Sequence, residues 1–223
     1  QSDAFALGVD MKTGRNLWKI PRVKSANWTS PIAFGSNPTL VLLQGGDGLA
    51  AHDPATGEKV WSYKKGCSTI PSAAAVGDLI CVPSDGLTAL RPDPAGKDPQ
   101  VVWKSNRLAP TTPSPVIYRD RVFAVSSGPV LKCADLKTGE VVWQLRLKGK
   151  FSSTPVVAGD RLYCFNHDGL CQVVELGDEG KIIGAGDLGE EILCTPAVAR
   201  GALFVRSDGH LWKISKPAAV AAR

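Results

Sequence analysis

"ADLKTGEVVW", residues 134–143, decides how the chain is read, because its skeleton returns at "DMKTGRNLW" (10–18) and "DPATGEKVW" (53–61). Self-similarity at a period of about 20–50 residues marks a repeat architecture. Outward from the motif, a Ser/Thr-rich step into a proline and an apolar run recurs around Pro31, Pro71, Pro115, Pro155 and Pro196, at intervals of 40 to 44 residues. A second apolar run follows each ("TLVLLQ", "DLICVPS", "RVFAVSS", "RLYCFN", "ALFVRS"). Then comes a turn: Asp47-Gly48, Asp85-Gly86, Asp168-Gly169 or Asp208-Gly209, with Gly128 in the remaining unit. Asp-Gly between apolar runs is a hairpin signal, because both residues tolerate positive φ. A third run leads into the motif and a fourth carries its Trp. Four short strands in each unit of about 40 residues predict an all-β fold, a β-propeller of four-stranded antiparallel blades.

The motif has a mechanical reading. Asp10, Asp53 and Asp135 end the third strand, where a carboxylate accepts hydrogen bonds from backbone N–H groups of the turn. Gly14, Gly57 and Gly139 supply a left-handed residue. Trp18, Trp61, Trp103 and Trp143 start the outer strands, 40 to 43 residues apart. A blade cannot bury both faces alone, so the indoles are expected to dock on neighbouring blades, with their N–H groups seeking partners. Two units depart from the pattern. "LRPDPAGKDPQVVW" has a longer turn without the Thr but keeps Gly96 and Trp103; "VELGDEGKIIGAG" has Gly184 at the Trp position and is expected to have the weakest outer strand.

The string A-x-D-x-x-T-G-x-x-x-W resembles the docking repeat of the pyrroloquinoline quinone (PQQ) propeller superfamily, and the resemblance extends over essentially the whole chain. It implies one of two branches: PQQ- and Ca²⁺-dependent quinoprotein dehydrogenases, or a non-catalytic branch that is BamB-like. Family members usually have seven or eight blades, so 223 residues imply an incomplete arc of such a propeller. The expected division is a partial blade at 1–25, blades at 26–66, 67–109, 110–150 and 151–191, a partial last blade at 192–215 and a polar tail at 216–223. On this reading two or more blades precede Gln1, and the C-terminus is the true one.

Composition sets outer bounds. The net charge of +5 is mild, and no basic run of five or more residues points to nucleic acid. No apolar run reaches the roughly 20 residues of a membrane-spanning helix, and "QSDAFALGVD" does not read as a signal peptide, the expectation being that one was removed or that the chain has been cut. The six cysteines at 67, 81, 133, 164, 171 and 194 form no CxxC and read mainly as buried thiols. In "CFNHDGLC", Cys164 and Cys171 face each other if the turn centres on His167 and Asp168, but not if it centres on Asp168 and Gly169.

Few residues point to catalysis. The dehydrogenase branch implies an adjacent Cys-Cys disulfide, Ca²⁺ ligands and an Asp base, and this sequence has no Cys-Cys pair. GxSxG, HExxH and GxxxxGK[ST] are absent. His52, His167 and His210 fall at different places in their units and read as turn residues. Trp28 and Trp212 lie outside the docking motif; Trp28, before an inner strand, is expected in the core. "NWT" at 27–29 fits a glycosylation sequon.

One surface stands out. The connections from outer strand to next inner strand should share one face of a propeller, and four are basic: Lys19, Arg22 and Lys24; Lys64 and Lys65; Lys104 and Arg107; Arg146, Lys148 and Lys150. The fifth is acidic, with Asp187, Glu190 and Glu191. The expectation is a non-catalytic scaffold, with no cofactor, that binds an acidic protein or peptide through this face. By family resemblance it works in the periplasm or elsewhere outside the cytoplasm. PQQ and Ca²⁺ enter only under the dehydrogenase alternative. A third reading makes the propeller a recognition module within a larger multidomain protein. Oligomeric state stays open.

Overall fold

A computed structural model describes residues 4–35, 39–93 and 95–216; all but the first residue of the 216–223 tail lies outside them. The fold is all-β, in six successive antiparallel sheets. The first holds β1 (Phe5–Val9) and β2 (Asn16–Pro21). Four full blades follow: β3 (Ile32–Phe34), β4 (Leu40–Gly45), β5 (Gly48–His52), β6 (Lys59–Tyr63); β7 (Ala74–Val76), β8 (Leu79–Val82), β9 (Leu87–Arg91), β10 (Gln100–Ser105); β11 (Val116–Tyr118), β12 (Arg121–Ser126), β13 (Val130–Asp135), β14 (Val141–Arg146); β15 (Val156–Ala158), β16 (Arg161–Phe165), β17 (Leu170–Glu175), β18 (Lys181–Asp187). The last sheet holds β19 (Ala197–Ala199), β20 (Ala202–Arg206) and β21 (Leu211–Ser215). Among the described residues no helix is long and apolar enough to cross a membrane.

The core lies between blades rather than within them. Leu42, Leu49, Trp61 and Tyr63 pack against Ile80, Val82 and Leu90 of the next sheet. Equivalent clusters join Leu87 and Trp103 to Val122 and Ala134, Phe123 and Leu131 to Leu162 and Val174, and Phe165 to Leu203 and Val205. Each sheet thus buries its apolar face only against a neighbour.

The repeat motif closes on itself as its chemistry requires. Asp10, Asp53 and Asp135 each accept two backbone N–H bonds, at 2.7 to 3.1 Å, from the residues two and three further on. The Thr hydroxyl accepts the N–H two residues beyond itself, at 3.2 Å from Glu58 to Thr56 and from Glu140 to Thr138. Three indoles then reach the following blade. Trp18, Trp103 and Trp143 donate Nε1–H to the carbonyls of Pro54, Leu136 and Gly177, at 2.8, 2.9 and 3.1 Å.

The turn glycine is needed twice over at Gly139: φ is +73°, and a Cβ there would sit 2.5 Å from the Trp103 ring. Gly180 lacks a positive φ, yet a Cβ would again sit 2.5 Å from Trp143. There the indole alone demands glycine.

A β-bulge precedes each Trp of the docking motif. In β2, β6, β10 and β14 the register skips one residue (Leu17, Val60, Val102 and Val142), and β18 does the same at Ile183. A bulge re-aims the next side chain, which turns the indole onto its neighbour and leaves Leu17, Val60, Val142 and Ile183 partly in solvent. The β18 strand, expected to be the weakest outer strand, is seven residues long and pairs with β17 on both sides of its bulge. What it lacks is cover, with six of its seven residues exposed.

Two register details differ from the sequence reading. Backbone N–H groups of Ser30, Ser72, Ser114 and Thr154 donate to the hydroxyls of Ser72, Ser114, Thr154 and Thr195, at 2.9 to 3.1 Å and separations of 42, 42, 40 and 41 residues. Ala73, not Pro71, therefore occupies the repeat position of the other prolines. The second hairpins are also mostly longer than two residues. Val82 pairs with Thr88, and Phe165 with Cys171, so only Asp85 and Gly86 combine positive φ at both positions. Cys164 lies opposite Gln172, and all six cysteines are free thiols.

Candidate functional site

The loops joining each outer strand to the next inner strand interlock with the second hairpins on one end of the arc. Gly48 leaves no room for a Cβ beneath the Tyr63 carbonyl, Gly86 beneath Ser105, or Gly169 beneath Glu190. Leu147 N–H bonds the Pro129 carbonyl at 2.8 Å, His167 N–H bonds Lys150 at 2.8 Å, and Ile192 N–H bonds His167 at 3.2 Å. These contacts tie the connections, and the candidate basic residues in them, to the second hairpins.

Their individual situations divide them. Arg22 is half-buried and donates to the Gln44 carbonyl at 3.1 Å. Lys19, Lys104 and Arg146 lie within β2, β10 and β14, so they belong to strands and not to the connections; the Lys19 ammonium is 4.1 Å from the Phe5 ring centre. Lys64 pairs with Asp98 of the following blade at 3.7 Å, and Lys104 with the hairpin Asp85 at 3.7 Å. Arg146 donates to the Gly128 carbonyl at 2.9 Å. Lys24, Lys65, Arg107, Lys148 and Lys150 are exposed and have no ion-pair partner among the described residues. They come one or two at a time from four consecutive connections.

The acidic fifth connection is partly committed to structure. Glu190 accepts from the Ser207 hydroxyl at 2.5 Å, from Gly209 N–H at 3.0 Å, and pairs with His210 Nδ1 at 2.5 Å. The Ser207 bond, with Gly209 and His210 behind it, holds the Glu190 carboxyl below its ordinary pKa. It clasps the last hairpin to the preceding blade. Asp187 accepts only the N–H of Gly189 at 2.8 Å, and Glu191 is exposed.

Toward the inner strands the face sinks into a depression of about 450 Å³. It is lined by Ser30, Ser72, Ser114 and Thr154 of the hydroxyl relay, by Trp28, Ile70, Thr112 and Ser152 two residues before them, and by Leu193. Trp28 is 68% exposed, which corrects the expectation that it packs in the core. The Ser/Thr step was visible as a repeat in the sequence, but its role depends on partners about 40 residues away.

A smaller cavity of about 280 Å³ opens beside that depression, sharing Thr112 and Ser152 with it. In it Ser152 Oγ lies 2.8 Å from His167 Nε2. Of the other histidines, His52 is buried with Nδ1 2.9 Å from the Gly57 carbonyl. The sequon Asn27 already donates its amide to Gln44 at 2.7 Å. Larger cavities of about 680 and 730 Å³ lie beside the first and last sheets, which have fewer than four strands.

The residues lining the central depression supply no carboxylate for the Ca²⁺ of the dehydrogenases. Ca²⁺ takes six to eight oxygen ligands, carboxylates among them, and no Asp or Glu lines the central depression. Among the described residues no three His, Cys, Asp or Glu converge as a metal site.

Comparison with known proteins agrees with the fold. The family model described as outer membrane protein assembly factor BamB matches residues 6–93 and again 87–183. None of the curated proteins compared matches the chain in sequence. The crystal structure of BamB from Moraxella catarrhalis superposes with a TM-score of 0.71 at 20% identity, over 92% of this chain and 62% of that one. At that identity the likeness concerns the fold, and the present chain spans under two thirds of the other's length. Two family-model matches tiled along the repeats, on six sheets in propeller order, lead to one conclusion: the chain belongs to the BamB family of PQQ-like β-propeller proteins.

Proposed function

We propose that this propeller is a non-catalytic binding module that recruits an acidic protein or peptide segment through its basic loop face, outside the cytoplasm. The observation that carries the reading is the set of five exposed cations, Lys24, Lys65, Arg107, Lys148 and Lys150, that have no ion-pair partner among the described residues and come from four adjacent connections. Complementary charge of this kind raises association rates and selects partners more than it adds raw affinity. Membership of the BamB family supports a scaffold role and the compartment.

The test is a titration of a capped glutamate-rich peptide, followed by fluorescence anisotropy, against wild type and Lys65→Glu/Lys148→Glu/Lys150→Glu. Wild type binds with an affinity that falls as salt is raised, and the reversed variant loses about tenfold or more. Equal affinity of the two proteins, or equal binding of a lysine-rich peptide, contradicts the reading.

A further inference from the structure

The cavity of about 280 Å³ on the basic face is lined from two consecutive blades by Ser126, by Lys150 and Ser152 of the β14–β15 connection, and by His167 of the next hairpin. Its size sits at the lower limit of small-molecule pockets, suited to one side chain more than to a whole cofactor. No Asp or Glu lines it, whereas a lysine and a histidine do. The nearest acid in sequence, Asp168, is exposed in the hairpin. Across the rim, the Arg146 guanidinium is held at 2.9 Å on the Gly128 carbonyl, and Gly128 is itself part of the lining.

A second feature is independent of charge. Ser126 is 6% exposed, and its hydroxyl is buried with no hydrogen-bond partner. Buried hydroxyls are rarely left unpaired, and one in a native fold points to a missing partner. A serine hydroxyl rotates freely and donates one hydrogen bond. Ser152 Oγ lies 2.8 Å from His167 Nε2; with the ring donating Nε2–H to it, the serine's own O–H is left to donate. Hydroxyl donors in a concave, acid-free cavity, with the exposed Lys150 in its lining, suit an anion with two acceptor oxygens, stabilised by charge-assisted hydrogen bonds.

We propose that this cavity receives an aspartate or glutamate side chain of the acidic partner, with Ser126, Ser152 and Lys150 as its donors and His167 positioning Ser152. The inference rests on the basic-face reading and narrows it, fixing where one carboxylate of the partner enters.

Ser126→Ala separates a binding role from a structural one. Its hydroxyl contributes no bond in the free protein, so the melting temperature should stay the same or rise, while affinity for the capped glutamate-rich peptide falls about tenfold. Replacing each peptide glutamate in turn with glutamine should reveal a single position whose loss matches, and does not add to, the Ser126→Ala effect. Lys65→Glu, outside the cavity, serves as the companion variant. If Lys65→Glu weakens binding and Ser126→Ala does not, the face is right and the cavity assignment is overturned. If neither changes binding, both readings fail together.

Discussion

At the scale of single residues, the docking motif is governed by close approach. Gly139→Ala must accommodate a positive φ and a methyl 2.5 Å from Trp103, so urea unfolding should show a loss of about 2–4 kcal/mol. Gly14 has the same turn conformation, φ +70°, but no atom near its missing Cβ, and Gly14→Ala should cost only about 1 kcal/mol. Equal losses at the two sites would contradict the packing role. Thiol reactivity reports on the same packing. Burial raises the Cys67, Cys81, Cys133 and Cys171 thiols to about 12 and pushes Cys164 up as well. A thiol reagent should therefore label Cys194, the one cysteine that is not buried, in native protein, and all six only after unfolding. The Asp, Thr and Gly of the repeat were readable from sequence because their bonds stay within a few residues. Trp28 was not: whether an indole before an inner strand points to the core or the axis depends on how the blades are arranged around it.

At the scale of elements, the joints between blades carry the stability. Trp103 is buried, and its Nε1–H meets the equally buried Leu136 carbonyl. Trp103→Phe removes the donor and strands that carbonyl, with an expected loss of about 2–3 kcal/mol in chemical denaturation. The first hairpins offer the opposite sign. Arg200 holds φ +50° before Gly201 at φ +71°, a two-residue turn in which Asn is better suited than Arg. Arg200→Asn should raise stability by about 0.5–1 kcal/mol, seen as a higher melting temperature; a drop would mean that the arginine makes a contact of its own. Strand number and order were legible because apolar runs and turns alternate at a fixed period. The bulge before each Trp was not, since one extra residue in an apolar run leaves no mark until the partner strand fixes the register. Pro71 misled for a related reason: a proline stands two residues before the repeat position, which Ala73 fills.

At the scale of the whole molecule, ionisation bounds the pH range in which the arc holds together. Hydrogen bonds from Thr13 keep Asp10 below its ordinary pKa, and those from Thr56 and Ala55 do the same for Asp53. Their stabilisation is complete above the unfolded carboxylate pKa of about 3.9 and disappears as pH falls through the depressed folded values. The buried thiols act in the other direction. Their contribution is complete below the unfolded thiol pKa of about 8.5 and is lost as pH climbs toward 12. Urea midpoints should therefore be flat between these limits and fall on both sides; a monotonic profile would contradict the assignment. The basic face was legible as charge on successive connections, but not its division into engaged and free cations. Lys64 and Asp98 are far apart in the chain, and only the stacking of blades brings them together.

Backbone amide chemical shifts read directly where a partner sits. Adding the capped glutamate-rich peptide to isotope-labelled protein should perturb residues in the connections around Lys24, Lys65, Arg107 and Lys148, with the largest changes at Ser126 and from Lys150 to Ser152. Perturbations confined to the opposite end, at the Arg119–Asp120 and Gly159–Asp160 turns, or along the β1 edge, would contradict the account.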